Sequence, residues 1–240
     1  MDKYYHFTSF NNIPSIYEFG LEPRFGFRSS SINDTKCAVF LSKGIRQAIT
    51  MYASMLWFYK NSIGDVGEYN INEYNKSIKH ISHILELCGH DNFLEDKKES
   101  LEIELNKILS IRNCRNFNEY LGGYGCYLSV DGIDNALSEN SENCWCSTAI
   151  PTNNINIVYL KNKITGEKHF SREDIISYFM SFFSPMELAN GDPETLKQVS
   201  YLYEYKNINQ YFDYLRNTYD LCEMPFYEYM GNKVKALIFN

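Results

Sequence analysis

Near its start the chain carries Tyr5-His6-Phe7-Thr8-Ser9, a histidine flanked by hydroxyl side chains. One imidazole nitrogen donates a hydrogen bond while the other accepts, which equips His6 to hold a hydroxyl-bearing ligand. The competing reading is a core histidine satisfied by backbone. The segment Arg24 to Asp34 is dense in Gly, Ser and Arg. Arg28 and the amides of Ser29-Ser30-Ser31 suit an anion. Its rival is a plain loop in which Asn33 and Asp34 make turn hydrogen bonds. Walker spacing is absent, which removes a P-loop. His80 and His83 share a helix face at i, i+3, with Cys88 and His90 nearby. Zinc needs four converging ligands, and Cys88 and His90 lie at or past a helix end, so no metal site is expected. Cys144 and Cys146 point the same way on a strand and are read as packing neighbours. Nothing local activates Cys37 or Cys126 as a nucleophile. Glu102 and Glu104 belong to a solvated helix face.

The elements that must position these residues follow from spacing and punctuation. Tyr4 to Ser9 is rich in strand formers. Asn12 is placed to cap a helix over Ile13 to Phe19, with Pro14 in its first turn and Gly20 as its stop. Cys37 to Ser42 reads as a buried strand. A helix then runs from Gly44 to about Lys60, with Ile45, Ala48, Ile49, Tyr52, Met55, Leu56 and Tyr59 at i, i+3, i+4 spacing. Two more helices are expected over Ile71–Cys88 and Leu94–Ile111. Strands are expected at Tyr124–Val130, Trp145–Ile150 and Ile155–Leu160. The pattern turns helical from Ser171, where Ser171 and Asp174 make a capping pair. Further helices fit Pro193–Tyr205 and Ile208–Tyr219, and Lys233–Phe239 suits an edge strand. The predicted class is α+β. Residues 1–165 would carry the sheet with a helical insertion over about 65–112, and residues 166–240 a mainly helical region packed on it.

Composition narrows the function classes. Across 240 residues Lys+Arg total 23 against 30 Asp+Glu, a formal charge of −7, which disfavours sequence-blind binding to a phosphate backbone. No window approaches the roughly 20 apolar residues of a membrane span, so no membrane association is expected. The N-terminus lacks the apolar core of a signal peptide, and the expected compartment is the cytoplasm. Seven cysteines is an odd number and too sparse for a disulfide scaffold. The 20 Tyr and 16 Phe suit clefts and interfaces, although codon bias in an AT-rich genome raises the same residues.

Three stretches together carry a resemblance: Tyr5-His6-Phe7-Thr8-Ser9, Ile13-Pro14-Ser15-Ile16 and Gly20-Leu21-Glu22-Pro23. Their layout resembles the N-terminal motif of the ADP-ribosyltransferase superfamily, most closely its DarT-type and RNA-phosphotransferase-like members. Val39-Phe40-Leu41-Ser42-Lys43-Gly44 followed by a helix resembles that superfamily's second motif. The similarity covers about residues 4–60 and, more loosely, 120–160. It implies a split β-sheet with a helical insertion, and NAD as substrate. His6 would contact the nicotinamide ribose, supported by Thr8 or Ser9. Ser42 would line the nicotinamide pocket and Tyr52 would stack there, with Tyr5 and Phe40 from the same motifs beside the dinucleotide. Arg24 or Arg28 would pair with the pyrophosphate.

The family places a catalytic glutamate at the edge of a late strand. Here Cys144 to Pro151 precede Ile155–Leu160 without an acid, and Glu142 and Glu139 are the nearest upstream. Glu142 is carried forward as the catalytic acid, with Asp34 as the other choice. The resemblance implies a mono-ADP-ribosyltransferase that cleaves nicotinamide from NAD and transfers ADP-ribose to a protein or nucleic-acid acceptor. A bacterial toxin or antiphage role, with an antitoxin partner, follows from the same likeness. The alternative is a catalytically degenerate NAD- or nucleotide-binding module on that fold. The RNA-phosphotransferase reaction is disfavoured, because family members of that type rely on several arginines and the chain has no clear run of basic residues.

Overall fold

A computed structural model describes residues 3–25, 37–60, 79, 83, 121, 123–133, 137–139, 144–206 and 209–239. Strand β1 (Tyr4–Ser9) organises the rest. Alternation along it sends neighbouring side chains to opposite faces. Tyr4 packs with Leu128, Ile157 and residues of helix α1 (Ile13–Phe19) on one face. Tyr5 packs with Tyr127, Val158 and residues of α2 (Gly44–Tyr59) on the other.

The sheet runs in the order β5 (Leu137–Glu139), β6 (Cys144–Cys146), β3 (Cys37–Lys43), β1, β4 (Gly125–Val130), β7 (Ile155–Asn162). A short β2 (Arg24–Phe25) pairs with β3, while β8 (Lys168–His169) and β9 (Tyr219–Pro225) pair with β7. Every pairing is antiparallel. Helices lie over both faces. Residues of α2, α3 (Arg172–Met180), α5 (Pro193–Lys206) and α6 (Asn209–Thr218) share one core. The shorter α4 (Pro185–Ala189) adds Leu188 to it. Residues of α1 and α7 (Phe226–Phe239) build the other core. With helices over both faces, β4 is buried at every position and shows no polar alternation. The class is α+β, mixed helix and antiparallel sheet.

Local chemistry explains the boundaries near β1. Pro14 occupies the first turn of α1, where its missing N–H is not needed. Gly20 ends the helix at φ +77°, and a Cβ there would fall 2.2 Å from the carbonyl oxygen of Ile150. That close approach lets Leu21 and Ile150 exchange two backbone hydrogen bonds of 2.9 Å, tying α1 to the sheet. At α3, the Ser171 hydroxyl accepts from the Asp174 amide, the capping pair read from the sequence.

The C-terminal region departs from expectation. Lys233–Phe239 is not an edge strand but the end of α7, and the strand is Tyr219–Pro225. It pairs with β7 from Asn156↔Pro225 to Asn162↔Tyr219. Phe226 and Tyr229, three residues apart, bury on one side of α7, so the helical period prevails there. Most of β9 is half-buried, so it lacks the clean alternation that marks a strand in sequence. Through β9 the region 166–240 enters the same sheet as residues 1–165. The helices expected over 71–88 and 94–111 lie outside the described residues, apart from Lys79 and His83, both helical and exposed.

Candidate functional site

The seam between β1 and β3 is paired at one end and open at the other. Tyr4↔Lys43 and Tyr5↔Ser42 are its two registered positions. Beyond them β1 stays paired only with β4, out to Ser9↔Gly125. Over the same stretch β3 keeps β6 on its other edge, and beyond it pairs with β2. Residues of α1 and the turn Gly20-Leu21-Glu22 close over the gap. The result is a cavity of about 210 Å³, lined by His6, Thr8, Ser9, Asn12, Ser15, Glu22, Phe40, Ser42 and Met51 among others.

His6 bridges the open seam. Its Nδ1 lies 3.0 Å from the Phe40 carbonyl oxygen. A carbonyl only accepts, so Nδ1 carries the proton and Nε2 of the neutral ring is an acceptor. Burial pushes the His6 pKa below its ordinary value, against the weaker opposing pull of the Phe40 carbonyl. The neutral ring is therefore the working form near neutrality.

The hydroxyls around it divide into two groups. Thr8 Oγ1 accepts from Asn12 Nδ2 at 3.1 Å. Ser42 donates to Met51 Sδ at 2.9 Å, a weak acceptor, so its oxygen keeps its acceptor capacity for a ligand. Ser9 is committed elsewhere: it accepts from the Asn11 amide at 3.2 Å and approaches the Tyr124 carbonyl at 3.4 Å. It shapes the turn after β1. Tyr5 is buried, its ring edge-on to Phe179 at 5.6 Å, and it lines the cavity from below. Phe40 is half-buried and presents its ring at the cleft.

Tyr52 is a correction. It is 2% exposed inside the α2-side core and does not line the cavity. Each helical residue turns about 100° from the last, and the phase that buries Ala48, Ile49, Ala53 and Leu56 also buries Tyr52. Met51, one step earlier, faces the cleft. Arg24 contributes backbone to β2, with its side chain outside the described residues. Arg28, Asp34 and Glu142 lie outside them as well, and Glu139 is described through its backbone pairing with Cys144. Asn12, Ser15, Glu22 and Met51 line the cleft without having been singled out for it. The i, i+3 spacing of Asn12, just before α1, and Ser15 in its first turn was the available signal.

Behind the open strand sits Arg172, fully buried at the start of α3. It donates to the Gly123 carbonyl at 3.0 Å and to Glu173, and its guanidinium lies 5.8 Å from the ring centre of Phe7. Gly125 makes this possible: a Cβ there would sit 2.3 Å from the Thr8 carbonyl oxygen and 2.8 Å from Arg172 Nη1. Cys126, Cys144 and Cys146 are buried free thiols. Among the described residues no group of three or more His, Cys, Asp or Glu could hold a metal ion, and no helix is long and apolar enough to cross a membrane. No protein-family model, curated protein or solved structure matches this chain.

Proposed function

We propose that the chain is an NAD-dependent mono-ADP-ribosyltransferase-like protein, with the nicotinamide half of NAD bound in the β1/β3 cleft. The observation that carries the reading is the opened seam with His6 across it. Nδ1 is spent on Phe40, and Nε2 is an acceptor on a residue that lines the cavity. A ribose hydroxyl donating to Nε2 would fix the sugar, and Ser42 and Thr8 would meet its neighbours. Phe40 offers an apolar surface to the nicotinamide ring. In the reaction the bond from C1′ of the ribose to the nicotinamide nitrogen breaks and nicotinamide leaves. A bond forms from C1′ to the acceptor nucleophile, whose proton passes to a base. The transition state has oxocarbenium character, so a carboxylate near C1′ would stabilise it. Glu142 is assigned that role from its place just before β6, the partner strand of β3. The acceptor is a macromolecule, protein or nucleic acid, and an antitoxin that blocks the cleft would fit a toxin role.

A second reading is an NAD- or nucleotide-binding module without transfer. It is favoured by one observation: among the described residues lining the cleft, Glu22 is the sole carboxylate, and it is exposed at the rim.

The test follows nicotinamide release and label transfer from NAD. His6→Asn keeps a side-chain donor where Nδ1 stands and removes the Nε2 acceptor. The expected result is turnover in the wild type and a loss of 100-fold or more in His6→Asn, on the order of one general catalytic contact. Glu142→Gln should abolish turnover while NAD still raises the melting temperature. NAD-dependent stabilisation without turnover would select the binding module. Neither response would discard both readings.

A further inference from the structure

The cavity that holds His6 is about 210 Å³, below the range of about 300–1,000 Å³ for pockets that enclose a drug-sized ligand. It has room for the nicotinamide and its ribose, and the adenosine half of NAD must lie outside. The strands set the way out. Tyr4↔Lys43 and Tyr5↔Ser42 close one end of the seam, and residues of α1 with Gly20-Leu21-Glu22 cover it. The open end is the one where β1 finishes at Ser9.

A turn is fastened to that end. The hydroxyl of Ser9, part of the cavity wall, lies 3.4 Å from the Tyr124 carbonyl oxygen, and the Phe10 amide donates to the same oxygen at 3.0 Å. One residue earlier, the Gly123 carbonyl accepts from Arg172 at 3.0 Å. Arg172 is fully buried. Burying a guanidinium is a costly way to hold a surface turn unless what the turn carries must stay in place. The turn carries Tyr124, at 75% exposure the most exposed aromatic side chain among the described residues. Among them, no ring contact and no side-chain hydrogen bond occupies it. Phe10, joined to the same turn, is packed against the core instead.

We propose, resting on the NAD reading of the cleft, that Tyr124 stacks on the adenine of the dinucleotide where it leaves the open end. The ring is then the contact that selects a dinucleotide over a mononucleotide. Every base offers a π-face, and tyrosine meets it with a planar apolar surface that has only two side-chain torsions to order. The fastened turn lowers the ordering cost of binding further, because the backbone that presents the ring is already in place.

Calorimetric titration of the full chain tests this, with NAD and with nicotinamide mononucleotide, which lacks the adenosine. The wild type is expected to hold NAD about tenfold or more tighter than the mononucleotide, on the order of one stacked base. Tyr124→Leu should lose that preference, with the mononucleotide held as before, and Tyr124→Phe should keep it. The position is exposed, so neither change touches the core. His6→Asn should weaken both ligands. Binding of neither nucleotide by the wild type, or no effect of His6→Asn on either, would sink the cleft reading and this assignment with it. Equal affinities in the wild type, or equal losses for both ligands in Tyr124→Leu, would overturn the assignment alone. So would NAD binding that Tyr124→Leu leaves unchanged while transfer falls, which would give the ring to the acceptor.

Discussion

The two halves of the sheet are built to opposite ends. In the β4–β7–β9 half, β7 and β9 stay in register over seven residues, from Asn156↔Pro225 to Asn162↔Tyr219, and β4 joins β7 from Leu128↔Ile157 to Val130↔Ile155. The side chains between them, Leu128, Ile157 and Val158, are wholly buried. In the β1–β3 half, pairing stops after two residues, and the opened strands hold His6, Thr8 and Ser42 with hydrogen-bonding capacity left over. Unpaired strand edges are normally a liability. Here one is roofed by α1 and braced from behind by Arg172. The lesson is that the cleft exists because the other half needs no help: continuous ladders and apolar burial stabilise the fold, and the seam is released for polar work.

The comparison breaks most readily in the sealed half. Ile157→Ala removes a fully buried branched side chain from the core on the α1 and α7 side of the sheet and should cost about 2–5 kcal/mol. A drop of roughly 10 °C in melting temperature is expected, with ligand affinity per folded molecule unchanged. A fall in affinity equal to the fall in stability would show that the halves are coupled.

Arg172 sharpens the boundary between them. Arg172→Ala takes from Glu173 one partner, while the Ser171 hydroxyl still donates to it, and removes the backing of Phe7, for an expected loss of about 3 kcal/mol, at the low end for a broken buried pair because Glu173 keeps some solvent. Arg172→Met preserves the volume and should lose clearly less. Denaturant unfolding of the pair checks this, and equal losses would assign the arginine's role to charge alone.

The smallest effect belongs to His6. Its pKa is lowered in the folded state, so the unfolded chain binds the extra proton more readily. Stability from this group is full above the ordinary histidine value of about 6.5 and is lost as pH falls below it, by at most about 1.4 kcal/mol per pH unit for one proton. His6→Asn should therefore show a shallower fall in melting temperature between pH 6.5 and 5 than the wild type. Parallel curves would mean that folding does not lower the His6 pKa.

Much of the scaffold was legible beforehand. β1, α1, β3, α2 and β7 appear where strand formers, Pro14, Gly20 and the 3.6 period put them. Two misreadings have physical causes. Tyr52 was assigned to the ligand because an aromatic suits nicotinamide, but helical phase, which the same periodicity contains, buries it. β9 was hidden because its residues are half-covered on both sides and so carry no alternation, and the final helix looked like a strand because Val234, Leu237 and Ile238 favour both.

By itself the sequence determined the identities and local geometry of the groups near the cleft: a histidine two residues before a threonine on a strand, a glycine that must end a helix, and a serine near the close of β3. Local forces suffice for those, since capping, positive φ and side-chain alternation act within a few residues. Only the tertiary structure decided that β1 and β3 part after Ser42, that His6 spends Nδ1 on Phe40, and that Gly125 makes room for Arg172 behind Thr8. Those facts depend on contacts between residues 34 or more positions apart, whose pairing is selected by the packing of the whole sheet and leaves no periodic trace in the chain.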